Sequence, residues 1–369
     1  MTTTKSGAVA IGIIGAGNIS TQYLTNLTTF PDVDVRFIAD LDPARASEQA
    51  AKFGLPRYGT VDELLADPEI EIVVNITNPQ AHVEVGLQII AAGKHVWSEK
   101  PIALDRKGGK RLLDAAEVAG VRYACAPDTF LGSGIQTARR LIESGAIGEP
   151  KTALTIMQYG GPDAWHPDPA FLFQEGAGPL FDIGPYYVTA LIQLFGPVKR
   201  VSARATMAKK TRTIGAGPKA GEAFEVTVPT HVLGMFEFED GGTSQSILSF
   251  DAKLDRTLFE VTGVDGVLES IDPNTFVGDL VVHTNEGANK ITTTGVLRAR
   301  GTGTVELARA IRAGVPERAS GAQAYHVLDV MTSTIDAAEC GEWVDVQSTF
   351  VPMPPLPDHW DPAAKTLDA

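Results

Sequence analysis

An unbroken apolar run, Val9 to Ile14, ends in the glycine turn Gly15-Ala16-Gly17-Asn18-Ile19-Ser20, and a helix-like stretch continues to Leu27. A strand feeding a tight glycine turn and then a helix gathers free backbone N–H groups at a positive helix end, where a pyrophosphate can sit. The next apolar run, Val33 to Ala39, stops at Asp40, close to the acidic position about 20 residues on that accepts the ribose hydroxyls of a dinucleotide. Ser20 stands where the pattern has its third glycine. Gly15, Gly17, Asn18, Ile19 and Asp40 are therefore the expected contacts of NAD. A 2′-phosphate would meet the carboxylates of Asp40 and Asp42, with Arg45 as the residue able to offset them.

With 369 residues and 44% hydrophobic side chains, the chain can fill two cores. The formal charge is −14 and no basic run is longer than Lys209-Lys210, which argues against nucleic acid and anionic membranes as partners. The two cysteines, Cys125 and Cys340, are far apart and fit no metal or redox pattern, so free thiols in a reducing compartment are expected. No apolar run approaches the roughly 20 residues that span a bilayer. Lys5 followed by Ala8 to Gly17 resembles a signal peptide, but the stretch runs on into Asn18 and a helix, so it reads as the first strand of a cytoplasmic protein.

Short apolar strands then alternate with helices: strands at Val9 to Ile14, Val33 to Ala39, Ile72 to Ile76, His95 to Ser98 and Val121 to Cys125, with helices at Ala44 to Phe53, Val61 to Ala66, Gln80 to Ala92 and Lys107 to Ala119. Strands that read as continuous apolar runs are buried on both faces, so a doubly wound parallel sheet is expected over residues 1–130. Beyond it, strands lengthen and alternate, as in Pro197 to Met207, Phe224 to Phe238, Thr243 to Phe250 and Thr257 to Glu260, with turn signals at Asp240-Gly241-Gly242 and Asp265-Gly266. Helices are expected at Ile135 to Ser144, Leu180 to Phe195, Thr304 to Ala313 and Ser320 to Cys340, before a Pro-rich tail from Val351. Residues 131–369 thus read as an α+β domain with a large, mostly antiparallel sheet.

Three further segments carry chemistry. Thr77-Asn78-Pro79, with His82 close behind, ends one parallel strand, and Glu99-Lys100-Pro101 ends the next, both where open α/β sheets bind ligands. The third is Asp182-Ile183-Gly184-Pro185-Tyr186. In this order and spacing, together with the glycine turn and Asp40, these segments resemble the glucose-fructose oxidoreductase, inositol dehydrogenase and rhizopine catabolism (Gfo/Idh/MocA) family over nearly the whole chain. The resemblance implies a Rossmann domain, NAD as cofactor, and a carbohydrate or cyclitol substrate. It puts Thr77, Asn78, Pro79, His82 and Glu99 on the cofactor side, Lys100 beside the nicotinamide ribose and the substrate hydroxyl, and Asp182 in support of Lys100. Many members carry His where this chain has Tyr186; Tyr marks the glucose-fructose oxidoreductase and dihydrodiol dehydrogenase branches.

Oxidising a secondary alcohol needs a hydride acceptor beside the carbinol carbon and a base within reach of its hydroxyl. Lys100 is the expected base, because a Lys near a positive ring and partly desolvated loses its proton more readily. Tyr186 assists or holds the hydroxyl. Pro185 leaves Asp182 and Tyr186 on one helical face only if the helix kinks there. Trp165-His166 and Asp128 are expected substrate contacts, His326 and His231 read as structural, and no cluster has metal-ligand spacing. A rival activity in the same family is an NAD-dependent glycosidase that oxidises, eliminates, hydrates and reduces back, with Tyr186, Tyr187 and His166 as candidate second acids. The broad sheet implies a homodimer or homotetramer.

Overall fold

The computed structural model describes residues 6–297 and 299–367 and divides into two compact units. In the first unit, β1 (Val9–Ile14), α1 (Asn18–Leu27), β2 (Val33–Ala39), α2 (Pro43–Phe53), β3 (Arg57–Gly59), α3 (Val61–Ala66), β4 (Ile72–Asn75), α4 (His82–Ala91), β5 (His95–Ser98), α5 (Arg106–Ala119) and β6 (Tyr123–Cys125) follow in turn. The six strands form one parallel sheet in the order β3-β2-β1-β4-β5-β6. Every residue of β1 and β4 is buried, as continuous apolar runs demand. The strand order reverses between β1 and β4, so the turns leaving Ile14 and Asn75 open at the crevice where such sheets take ligands. Asp42 and Asp105 cap α2 and α5 through their side chains, and Gly54 and Gly120 end the same helices in the left-handed region. The strand β3 was not anticipated, being three residues long and largely exposed.

The second unit comprises α6 (Ser133–Glu143) from Gly134 on, β7 (Pro150–Gln158), α7 (Gly178–Asp182), α8 (Gly184–Phe195), β8 (Val198–Thr206), β9 (Thr211–Thr213), β10 (Ala223–Glu225), β11 (His231–Phe238), β12 (Thr243–Ser249), β13 (Arg256–Gly263), β14 (Val267–Glu269), β15 (Leu280–Thr284) and β16 (Gly287–Ile291). With β17 (Val344–Asp345) they build a nine-stranded sheet in the order β16-β15-β14-β13-β7-β12-β11-β8-β17, antiparallel except where β12 lies parallel to β7. The continuous strand expected over Phe224 to Phe238 is two strands. Pro229, with no N–H to give a ladder, stands between β10, which pairs with β9 in a separate ribbon, and β11, which joins the main sheet.

The chain does not divide once near residue 130. It crosses between units at 133/134, 293/294, 325/326 and 351/352, so Thr294–Tyr325 and the tail from Pro352 belong with the parallel sheet. Burial explains the return. In α9 (Thr302–Ala313), Thr302 through Ala308 are all buried, and Gly303 lies so close to the Trp97 ring that a Cβ would come within 2.0 Å of it. Arg309 pairs with the fully buried Asp32 at 2.7 Å, and both oxygens of Asp32 also accept backbone N–H groups from Thr366 and Leu367 in the tail. The helix α10 (Gly321–Cys340) starts with the expected Ser320 cap, whose hydroxyl accepts from the Gln323 N–H at 3.2 Å.

Candidate active site

The glycine turn is built as its sequence requires. Gly15 has φ +111°, and a Cβ there would lie 2.8 Å from the Ile76 carbonyl oxygen, so only glycine fits. Around Gly17, by contrast, a Cβ would meet nothing within 4 Å, and no side chain caps α1. That open space at an uncapped helix N-terminus suits a pyrophosphate. Ser20 tolerates the third glycine position because it is fully buried and its hydroxyl turns back to donate to the Gly17 carbonyl at 2.6 Å. One Asp40 oxygen accepts the Ala16 N–H at 2.6 Å and the other the Asp42 N–H at 2.8 Å. Each carboxylate oxygen keeps a second lone pair, so two ribose hydroxyls can still donate to it. Arg45 is drawn to Asp42 at 3.4 Å.

Behind this turn, three expected ligand contacts prove to be buried supports. His82 is fully buried: Nδ1 lies 2.7 Å from the Pro101 carbonyl and Nε2 3.0 Å from the Thr77 carbonyl, and burial holds its pKa below the usual value. The ring thus ties the turn after β4 to the Glu99-Lys100-Pro101 turn after β5. Glu99 is also turned inward, accepting from the Tyr23 hydroxyl at 2.9 Å and from the Lys100 N–H at 3.0 Å, with Arg300 at 3.8 Å. Asp128, expected at the substrate, is fully buried, and one of its oxygens caps the returning α9 by accepting from Gly301 N–H (2.9 Å) and Gly303 N–H (3.2 Å). Burial raises its carboxyl to about 6. Sequence could not reveal this, since the partner helix lies more than 170 residues away. Lys100 is left partly exposed at the carboxyl end of the sheet, as are Thr77 and Pro79, while Asn78 is exposed.

On the second unit, the long helix expected from Leu180 breaks at Ile183 into α7 and α8, with Pro185 in the first turn of α8, where its missing N–H costs nothing. Asp182 therefore ends one helix and Tyr186 begins the next. Tyr187 leaves the candidate list: it is buried, and its hydroxyl donates to Asp272 at 3.2 Å. His326 is a core residue, with Nε2 accepting from the Val198 N–H and Nδ1 on Ser348.

Trp165 is 59% exposed and edges His166 at 5.6 Å, and His166 edges Phe171 at 5.5 Å. The Asp168 N–H donates to His166 Nδ1 at 3.1 Å, so the neutral ring carries its proton on Nε2. One buried residue anchors the loop that carries these rings. Arg212, 6% exposed at its side chain, donates through Nη1 to Gly160 O (2.9 Å) and Asp163 (2.7 Å), and through Nη2 to Phe250 O (2.7 Å) and Asp251, while its guanidinium lies 4.8 Å over the Phe173 ring. Its only sequence signal is an Arg in the middle of a three-residue strand, and its acidic partners are remote along the chain.

Residues 9–126 match the model of the oxidoreductase family with an NAD-binding Rossmann fold, and residues 135–269 match the Gfo/Idh/MocA C-terminal domain. The chain belongs to the Gfo/Idh/MocA family. Like the family its two matched regions define, it is an NAD-binding oxidoreductase. Among this family member's relatives, the trans-1,2-dihydrobenzene-1,2-diol dehydrogenase of Mus musculus is 28% identical over 265 residues, covering 71% of this chain and 74% of that one. The inositol 2-dehydrogenase/D-chiro-inositol 3-dehydrogenase of Lactiplantibacillus plantarum is 32% identical over 150 residues, 38% of this chain and 41% of that one. Levoglucosan dehydrogenase, solved with NADH and levoglucosan, shares the fold at TM-score 0.77 and 23% identity, covering 92% of this chain and 99% of that one. Among the described residues, no helix is long and apolar enough to cross a membrane, and no group of His, Cys, Asp and Glu could hold a metal.

Proposed function

We propose that this oxidoreductase oxidises a secondary hydroxyl of a sugar, cyclitol or glycoside. The observation that carries the reading is Lys100, partly exposed at the carboxyl end of β5, with its own backbone N–H fastened to the buried Glu99 carboxylate. Bound NAD supplies the hydride acceptor. Lys100 takes the proton of the reacting hydroxyl, while Asp182 and Tyr186 hold that hydroxyl in place. The exposed Trp165 ring offers a flat apolar face to a sugar, and His166 offers the Nε2–H to one of its hydroxyls. Incubation with NAD and a panel of free sugars, cyclitols and aryl glycosides, following 340 nm absorbance and aglycone release together, tests this. Net NADH with a free polyol supports the dehydrogenase; aglycone release without it moves the assignment to the redox-cycling glycosidase. The bonding of Tyr187 to Asp272 removes one of the acids that route would draw on.

Cofactor choice rests on Asp40. In Asp40→Ala both cofactors bind more weakly, because the glycine turn loses the Ala16 bond, but the preference for NAD over NADP falls by about tenfold or more as the ribose acceptor and the charge that repels a 2′-phosphate go together. An unchanged ratio of the two dissociation constants ends this assignment.

The reading also includes self-association and a cytoplasmic setting, the latter supported by two free cysteines. Across the outer face of the large sheet, Arg204, Leu233, Ile247, Ile156 and Leu258 lie in one cross-strand row, and Leu233 and Met235 are 42% and 44% exposed. A two-fold pairing of this face with its copy would cover the stripe. Light scattering at micromolar concentration is expected to give a dimer or tetramer; a clean monomer contradicts it.

A further inference from the structure

Tyr23 has no part in the chemistry as proposed, yet it stands in the middle of a buried chain of hydrogen bonds that ends on Lys100. It belongs to α1, the helix that leaves the glycine turn, and it is fully buried. The Trp97 Nε1–H donates to its hydroxyl oxygen at 3.1 Å, and that hydroxyl donates to Glu99 Oε1 at 2.9 Å. The other carboxylate oxygen, Glu99 Oε2, accepts the Lys100 N–H at 3.0 Å. Because an indole nitrogen only donates, the tyrosine proton is directed at Glu99. Burial, then the charges of Glu99 and Asp128, push the phenol well above its usual range, so that proton stays in place.

We propose that Tyr23 is a positioning residue: its hydroxyl fixes the Glu99 carboxylate and, through it, the backbone turn that presents Lys100 to the reacting hydroxyl. This rests on the reading of Lys100 as the base. The main chain of Glu99 is already pinned, its N–H donating to Asn75 O at 2.8 Å and its carbonyl accepting from Ser98 Oγ at 3.1 Å. Only the side chain is left to orient, and where Oε1 points decides where Oε2 lies. Two groups draw on Oε1: the Tyr23 hydroxyl in hydrogen-bond contact, and the Arg300 guanidinium, whose Nη1 stands 3.8 Å away. Without the hydroxyl, the carboxylate swings toward the cation, an attraction that burial strengthens, and Oε2 leaves the Lys100 N–H. A shift of about 1 Å at a reacting group costs up to about 100-fold in rate. The same phenol joins the turn proposed for the pyrophosphate to the turn that carries the base, since α1 starts at the first and Tyr23 bonds to the second.

Tyr23→Phe removes one oxygen and keeps the ring. In protein carrying isotope-labelled lysine, the Lys100 amide resonance is identified by its loss in Lys100→Met. In Tyr23→Phe it should move upfield and exchange with solvent about tenfold faster or more, while lysine amides remote from this turn keep their places. Turnover should fall by about 10- to 100-fold, with KM and NAD affinity within a few-fold of wild type. In a Lys100→Met background the same change should cost no further turnover, because its effect passes through Lys100, whereas a loss of packing alone would act in both backgrounds. Should Tyr23→Phe not fold, Glu99→Gln breaks the same chain one link later and should move the same resonance. An unmoved Lys100 amide, wild-type turnover in Tyr23→Phe, or an equal loss in the Lys100→Met background would overturn the inference. A displaced amide in a protein whose wild type forms no NADH from any polyol would keep the linkage from Tyr23 through Glu99 to Lys100 and sink the oxidoreductase reading instead.

Discussion

Lys100→Met should lower turnover by about two to four powers of ten, the usual range for losing a general base, while the affinity for NAD stays near the wild-type value. The separation is expected because the elements that would bind the dinucleotide, the Gly15 to Ser20 turn and Asp40, make none of their bonds through the Lys100 side chain. Methionine matches the length and apolar stem of lysine, so the fold should be untouched. Single-turnover rates with NAD in excess, set beside a titration of NAD, give the two numbers. Turnover within a few-fold of wild type would end the assignment of Lys100 as the base, and loss of NAD binding in parallel would recast it as a binding residue.

Arg212→Met is expected to cost the second unit about 3–5 kcal/mol. Removing one member of a buried ionic cluster leaves the others uncompensated. Here Asp163 and Asp251, 16% and 13% exposed, would keep their charges without the guanidinium between them. The loss is structural first and functional second, because Gly160 and Asp163 anchor the loop that carries Trp165 and His166. Arg212→Lys should recover part of the stability. An ammonium restores the charge, but its three donors cannot span four oxygens in the guanidinium's plane. Urea denaturation followed by tryptophan fluorescence measures the difference, and a loss below about 1 kcal/mol in Arg212→Met would show that the cluster is not what holds the loop.

The contrast between these residues shows what a sequence can carry. Lys100 could be singled out as the proposed base because its motif sits in adjacent letters at the end of an apolar run, and Gly15, Gly17 and Asp40 stand out in the same way. Arg212 could not, because it acts through neighbours 38 to 52 positions away, such as Asp251 and Gly160. His82, Glu99 and Asp128 show the opposite error. Their residue types and positions suggested ligand contacts, and only packing revealed that they are buried and bonded to Thr77 and Pro101, to Tyr23, and, through one carboxylate oxygen of Asp128, to the start of α9.

By itself, the sequence determined the parallel sheet, its glycine turn, the order of strands and helices in the first 126 residues apart from the short β3, and the antiparallel character of the second sheet. These are local matters, set by hydrophobic period, turn residues and caps acting over a few positions. The tertiary structure alone decided that the chain returns twice to the first unit, that Pro229 splits one expected strand in two, and which polar residues stay within reach of a ligand. Each of these depends on which distant surfaces bury one another. A buried carboxylate or imidazole takes whatever donor or acceptor the fold brings to it, and that partner is written nowhere near it in the chain.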